Sequence, residues 1–245
     1  MDKVLITGGN GNLACELKRT AIEKDVIAPN KYEMDITSNQ SISSFLNKVS
    51  PNYVIHAGAF TRPMNKHQLF PEKSIEVNII GTSNIVLNCL KRNIKLIYIS
   101  TDYVYPGIEG NYSEGDPLSP FSEINDGVSK YGWSKLGGEC AVRILEGSLI
   151  IRACICEYPF PHPKALTDVK KSLIYIKDAA SIIWKLIDQS GVINLGGISQ
   201  SVYDFAKVDN KKVLPIKNSE ILDVKLAPNT TMNISKLKNI LNETN

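Results

Sequence analysis

Histidine is scarce in this chain, and its three copies, His56, His67 and His162, have no spacing suited to a metal ion. A structural zinc site is therefore not expected. The five cysteines, Cys15, Cys89, Cys140, Cys154 and Cys156, are odd in number and irregularly spaced, with no C-x-x-C pair. That usage argues against a disulfide framework and reads as reduced thiols in an intracellular, cytoplasmic protein. No apolar run approaches the roughly 18 residues of a membrane span, so no membrane partner is expected. No basic run with interleaved aromatics occurs, and a net charge of +3 is too small to imply nucleic acid. Lys3-Val4-Leu5-Ile6 opens a strand pattern with no signal-peptide pattern ahead of it. What remains is an ordinary globular composition. At 245 residues it suits one α/β domain with a small appendage, or two small domains.

Glycine, by contrast, sits where it carries information. Residues 3–7 form a short apolar run ending in Thr7, followed by Gly8-Gly9-Asn10-Gly11-Asn12-Leu13-Ala14. A helical pattern follows, with Leu13, Leu17, Ala21 and Ile22 on one side. Strand, glycine turn and helix together make a dinucleotide fingerprint. Gly8 and Gly11 permit a tight turn and close approach to a pyrophosphate. The helix start offers free N–H groups and a positive dipole end. Val26-Ile27-Ala28 reads as the second strand. Its end carries Pro29-Asn30-Lys31 rather than the acidic residue that bonds a ribose 2′-hydroxyl. A cation there suits a 2′-phosphate, which favours NADPH, with NADH as the alternative; otherwise Lys31 is a solvated turn lysine. Asp35 is a candidate to face the adenine, and Ser38 to cap the helix from Ser41 to Lys48.

A third strand, Asn52 to His56, runs into Ala57-Gly58-Ala59, small residues that leave room for a flat dinucleotide. His56 precedes that edge and reads as a packed core residue. A long helix is expected from Glu72 to Arg92, with Ile75, Ile79, Val86, Leu87 and Leu90 as its apolar side and Asn78 as a polar residue within it. The fourth strand, Lys95 to Ile99, ends at Ser100-Thr101-Asp102-Tyr103-Val104-Tyr105, where Ser100 or Thr101 would offer a hydroxyl to a carbonyl oxygen. Pro106 to Asn125 reads as a long loop, and loops of that length are usually functional. The next helix, running to Leu145, carries Tyr131 and Lys135 four residues apart, so both lie on one face. A nearby ammonium lowers the pKa of a phenol and makes it a usable acid/base. Gly137-Gly138 mark a close approach by another backbone or by the cofactor.

These motifs, in this order, resemble the extended short-chain dehydrogenases/reductases. The closer likeness is to the dTDP-4-dehydrorhamnose reductase family, through Met34-Asp35-Ile36-Thr37, the run Ser100 to Tyr105, and Tyr131-Gly132-x-Ser134-Lys135-Leu136-x-Gly138-Glu139. The resemblance covers roughly the first 155 residues. It implies a Rossmann-type doubly wound parallel sheet with a small C-terminal substrate-binding cap. The NADP-binding part would be 1–152 with 173–197, and the cap 153–172 with 198–245. It implies NADPH-dependent reduction of the 4-keto group of a nucleotide-linked 4-keto-6-deoxy sugar. Thr101 would polarise the ketone, Tyr131 would deliver the proton, Lys135 would lower the tyrosine pKa and bond the nicotinamide ribose, and Asn78 would support a relay water. The implied cofactor contacts are Gly8, Asn10, Gly11, Asn12, Leu13, Asn30, Lys31, Asp35, Ile36, Ala57, Gly58 and Ala59, with Tyr131 and Lys135. A homodimer through the helices from Glu72 and from Asn125 follows by analogy.

The likeness thins after residue 152. Residues 158–172 read as a short irregular insert, Ile174 to Ala180 as entry into a helix, and Gly191 to Gly197 as a strand. Ala227 stands where the family often has an arginine, leaving Lys164, Lys170, Lys171 and Arg62 as candidate cations for a diphosphate, each otherwise a solvated surface residue. Two alternatives stay open. One is a bifunctional 3,5-epimerase/4-reductase or another nucleotide-sugar epimerase, with Cys154, Cys156 or Lys66 as a base. The other is a cofactor-binding regulatory subunit, like the β subunit of methionine adenosyltransferase.

Overall fold

A computed structural model describes residues 2–121, 127–221 and 224–243. The strands are β1 Lys3–Thr7, β2 Asp25–Ile27, β3 Tyr53–His56, β4 Lys95–Thr101, β5 Leu149–Ala153, β6 Ile155–Cys156, β7 Lys164–Leu166, β8 Lys170–Lys171, β9 Ile174–Tyr175, β10 Gly191–Leu195, β11 Gln200–Ser201 and β12 Leu214–Ile216. The α-helices are α1 Asn12–Thr20, α2 Asn39–Val49, α3 Asn65–Leu69, α4 Pro71–Lys73, α5 Thr82–Arg92, α6 Gly127–Val142, α7 Ile176–Lys185, α8 Val202–Lys207 and α9 Ser235–Glu243.

Six strands form one parallel sheet in the order β10-β5-β4-β3-β1-β2. Its strands are apolar on both faces because both faces are covered, as parallel sheets require. Val4 and Ile6 of β1 point into one core with Ala14 and Leu17 of α1 and Ala179, Ala180 and Ile183 of α7. Leu5, between them, points into the other, with Ile42 and Leu46 of α2, Val86 and Cys89 of α5 and Val142 of α6. The sheet is doubly wound: the chain leaves β1 towards β2 on one side and returns to β3 on the other. Ligands of such sheets sit at that reversal, outside the carboxyl ends of the strands.

The distal part of the chain builds a third, smaller core from Cys156, Phe160, Ala165, Leu166, Val169, Val202, Phe205, Ala206 and Val213. Residues 158–172 are thus not merely irregular: β7 pairs with β12 and β8 with β11. Helix α9 departs from the expected grouping of 198–245. Its Leu237, with Ile234, Ile240 and Leu241 beside it, packs against the large sheet.

Two local expectations change. Helix α1 ends at Thr20, so Ala21 and Ile22 lie beyond it, and Ile22 is exposed. The helix expected from Glu72 to Arg92 exists, but its middle, Ser74–Gly81, is π-helical. One wider turn advances the buried face. Asn78, Ile85, Val86 and Cys89 point inward, while Ile75, Leu87 and Leu90 face outward. Asn125, the start of the next helix in the sequence reading, lies outside the described residues. No helix among the described residues is long and apolar enough to cross a membrane.

Candidate active site

The turn after β1 interlocks with the ends of β2 and β3. Gly8 has φ +73°, and a Cβ on it would stand 2.7 Å from the Cα of Gly58. Gly9 donates its N–H to Pro29 O at 2.9 Å, and a Cβ there would lie 2.0 Å from Ala28 O. Thr7 Oγ1 accepts from Gly58 N at 2.9 Å and pairs with His56 Nδ1 at 2.7 Å, while His56 Nε2 meets Thr82 Oγ1 at 3.0 Å. His56 is thus a packed residue, and burial first, then the Lys135 charge, hold it down to about 3.

Helix α1 begins at Gly11 with no side-chain cap and no acidic residue in its first turn. Free N–H groups at the dipole's positive end, in a cradle that only glycine can line, fit an anionic pyrophosphate. Asn10, Gly11 and Asn12 are exposed around it and Leu13 is half-buried. Asn12 Nδ2 donates to Glu157 Oε1 at 2.9 Å, a carboxylate that Arg62 also reaches at 3.4 Å. At the end of β2, Lys31 is exposed. Asn30 shapes the turn, its Oδ1 accepting from Tyr32 N at 2.8 Å. Asp35 spends Oδ1 on Thr37 N and Oγ1 at 2.9 and 2.8 Å, a turn-closing role the sequence reading did not assign. Ser38 caps α2 as expected. Ile36 packs on Gly81 of the π-helical segment, and Ala57 and Ala59 are half-buried beside Gly58.

Lys135 and Tyr131 come from α6, one turn apart, and both are buried. Lys135 Nζ stands 4.1 Å from the Tyr98 ring centroid. Burial pulls its pKa down to about 7, against the pull of Glu139. The Tyr131 ring lies 5.1 Å from that of His67 and 6.0 Å from that of Tyr103. Burial pushes the Tyr131 pKa up, Asp102 and Tyr103 add to this, and a Thr101 hydrogen bond and the Arg62 charge oppose it. In the ligand-free site burial is the largest influence on Tyr131.

The two hydroxyls both donate to carboxylates but differ in their surroundings. Ser100 gives its proton to Glu139 Oε1 at 2.6 Å. Glu139 is itself paired with the fully buried Arg152 at 2.9 Å. Thr101 donates to Asp102 Oδ1 over a longer 3.1 Å and stands beside Tyr131. Asn78 is a brace: Oδ1 accepts from Phe60 N at 2.8 Å, and Nδ2 donates to Phe60 O and Ser134 Oγ at 2.9 and 2.8 Å. Both amide protons are thus used on protein groups, which leaves the expected relay water none from this side chain. Gly137 and Gly138 admit Ile79 and the Tyr98 hydroxyl rather than a cofactor, since Cβ atoms there would meet them at 3.0 and 2.4 Å.

The sequence reading missed one group and misplaced another. His67 is fully buried against Tyr131, held by Ser74 Oγ and Thr61 O at 2.8 Å each. Lys171, expected as a diphosphate cation or else a solvated surface residue, is buried in an ion pair with Asp102. Of the other candidate cations, Lys164 and Lys170 are exposed. Cys154 and Cys156 are poor bases: burial pushes the first thiol well up and the second to about 11. Lys66 is exposed on α3. Among the described residues no cluster of His, Cys, Asp and Glu could hold a metal ion.

The family described as RmlD substrate binding domain matches residues 2–156, a span that contains every one of these motifs. The chain belongs to that family. A dTDP-4-dehydrorhamnose reductase from Aggregatibacter actinomycetemcomitans is 30% identical over 155 residues, 62% of this chain and 50% of that protein. The chain thus spans about half the length of the first curated relatives it matches. A crystal structure of dTDP-4-dehydrorhamnose reductase from Bacillus anthracis in complex with NADP superposes with a TM-score of 0.86 at 25% identity, covering 99% of this chain and 93% of that one. The methionine adenosyltransferase 2 subunit beta of Rattus norvegicus is 22% identical over 284 residues, 97% of this chain and 82% of that protein.

Proposed function

We propose that this protein is an NADPH-dependent reductase of the 4-keto group of a nucleotide-linked 4-keto-6-deoxy sugar. The observation that carries the reading is the convergence of Thr101, Tyr131 and Lys135 beside the strand ends that hold the glycine turn. Lys135 acts on His56, which bonds Thr7, which bonds Gly58. The family match and the NADP complex of a similar structure support the same chemistry.

In this reading the N–H groups of Asn12 and Leu13 hold the pyrophosphate, and Lys31 takes the 2′-phosphate. Bound NADPH supplies the hydride. On sugar binding the Thr101 hydroxyl turns from Asp102 Oδ1 to donate a hydrogen bond to the ketone oxygen, and Tyr131 gives that oxygen its proton. Lys135 bonds the nicotinamide ribose and offsets the charge left on Tyr131. Asn78 works indirectly, fixing the Phe60 loop and Ser134 on α6. The distal core around Phe160 and Phe205 forms the substrate cap, with α9 belonging to the sheet. A homodimer is part of the proposal, and Ile75, Ile80, Leu87, Leu90 and Trp133 are apolar groups exposed on the helices it would use.

A regulatory subunit is the second reading, favoured by the near full-length match to the methionine adenosyltransferase β subunit. The test follows NADPH oxidation with a panel of nucleotide-linked 4-keto-6-deoxy sugars, with and without a separate 3,5-epimerase. Turnover that needs the epimerase identifies a plain reductase, and turnover without it a bifunctional enzyme. NADPH binding with no turnover supports the regulatory reading. Tyr131→Phe should keep NADPH binding and lose about 10²-fold or more in turnover; unchanged turnover would overturn the assignment.

A further inference from the structure

Lys171 and Asp102 form a buried ion pair at the floor of the site, between the end of β4 and strand β8. Lys171 Nζ donates to Asp102 Oδ2 at 2.5 Å and to Thr230 Oγ1 at 3.1 Å, and stands 4.0 Å from the Tyr103 ring centroid. Thr230 donates to the same Oδ2 at 2.6 Å. The other carboxylate oxygen, Oδ1, accepts from Thr101 Oγ1 at 3.1 Å. One carboxylate is therefore shared between the hydroxyl proposed to meet the ketone and an ammonium carried in from a distant strand. A buried pair is weak evidence for stability, since desolvation offsets the attraction. Its position, one hydrogen bond from Thr101, suggests another purpose.

We propose that Lys171 is a positioning residue: paired with Asp102, it fixes the carboxylate that holds the Thr101 hydroxyl before the ketone takes its hydrogen bond, and it balances that carboxylate's charge at Tyr131. The inference rests on the reductase reading of Thr101 and Tyr131. The charges around the phenol make the balance consequential. Asp102, Tyr103 and Thr101 face Tyr131 from the end of β4, His67 and Arg62 from the segment after β3, and Lys135 from its own helix. Lys171, Thr230 and Cys154 face Asp102 from the distal side. Burial opposes the charge on Lys171, yet Asp102 outweighs it and keeps the ammonium protonated. After burial, Asp102 is the largest influence raising Tyr131. Removing one member of the pair must move Tyr131 in one direction, and removing the other must move it in the opposite direction.

The test uses Asp102→Asn, Lys171→Met, Lys171→Arg and the double variant Asp102→Asn/Lys171→Met. Tyrosinate absorbance, differenced against the same protein carrying Tyr131→Phe, follows the phenol without a sugar. The pH profile of kcat for NADPH oxidation follows it in turnover. Asp102→Asn should move the Tyr131 step down by about one pH unit, and Lys171→Met should move it up. The double variant and Lys171→Arg should return it to the wild-type position. The alkaline limb of kcat, where the protonated phenol is lost, should keep the same order, with the KM for NADPH changed less than about twofold. A step that stands still in all variants, or moves the same way in both single variants, overturns the assignment. If Lys171→Met melts below the assay temperature, Asp102→Asn and Lys171→Arg decide between a downward shift and no shift. If even the wild-type protein reduces no sugar, the reductase reading fails, and the absorbance order still decides the role of the pair.

Discussion

Gly8 and Gly58 meet with no room for a side chain on either: a Cβ on Gly8 would lie 2.7 Å from Gly58 Cα, and one on Gly58 would lie 2.9 Å from Thr7 Oγ1. Two separate motifs, the turn after β1 and the small residues after β3, are thus halves of one cradle. Gly58→Ala should push the glycine turn away from α1 while leaving the sheet intact. Overpacking a tight site costs about 1–3 kcal/mol, so NADPH affinity should fall about tenfold. Fluorescence titration of NADPH measures this, and an unchanged affinity would show that the cofactor does not lie on this turn.

Lys31 is the cation at the end of β2, exposed and adjacent to a turn held by Asn30 and Glu33. An interaction with a 2′-phosphate is lost with its charge. Lys31→Ala should weaken NADPH by about tenfold, the value of one hydrogen bond to a charged group, and leave NADH nearly unchanged. An equal loss for both cofactors, measured by competitive titration, would remove the structural basis for an NADPH preference.

Much of the cofactor side was legible because its signals are local. Gly8 and Gly11 follow a strand directly, and Tyr131 and Lys135 share a helix face through a four-residue step. The groups behind them were not legible. Lys171 reaches Asp102 across 69 residues and Thr230 reaches the same carboxylate across 128, and neither carries a local pattern that foretells the meeting. His67 sits in a five-residue helix, too short for a periodic pattern to announce it. The helix through the π-helical segment Ser74–Gly81 was legible only in part: Val86 is buried as its apolar pattern predicts, while Ile75, Leu87 and Leu90, placed on the same side, are exposed and Ile85 and Cys89 are buried instead. For Lys135 and Tyr131 the spacing predicts a shared helix face, whereas burial, which no spacing reveals, is the largest influence on the pKa of each.

Asn78 offers a test of that π-helical segment. Its carboxamide satisfies both backbone groups of Phe60 and reaches Ser134 on α6. Asn78→Ala removes the side-chain partner of both Phe60 backbone groups, at a cost on the order of 2 kcal/mol in unfolding free energy. Turnover should fall mainly through kcat, since the Phe60 loop and α6 carry the site rather than the cofactor cradle. Urea denaturation together with kcat and KM for NADPH checks this. A stable variant with wild-type kcat would show that the brace is dispensable.

Lys135 gives the clearest pH dependence. Its pKa in the folded, ligand-free protein is about 7, depressed chiefly by burial from an ordinary 10.5. Below pH 7 both folded and unfolded chains hold the proton, and the burial of an ammonium is fully felt. Between about 7 and 10.5 the unfolded chain binds more protons than the folded one, so unfolding free energy rises with pH through this window. Above it both are neutral and the effect is complete. Other groups titrate there too: burial raises Tyr98 and Tyr131, which acts in the opposite direction at the alkaline end. The comparison with Lys135→Met removes their contribution. Urea midpoints for both proteins, taken at pH 6.5 and again at pH 9, should show the wild type gaining on the variant as pH rises. A constant difference would mean that Lys135 keeps its proton in the folded state throughout, held by a partner rather than exposed to the penalty of burial.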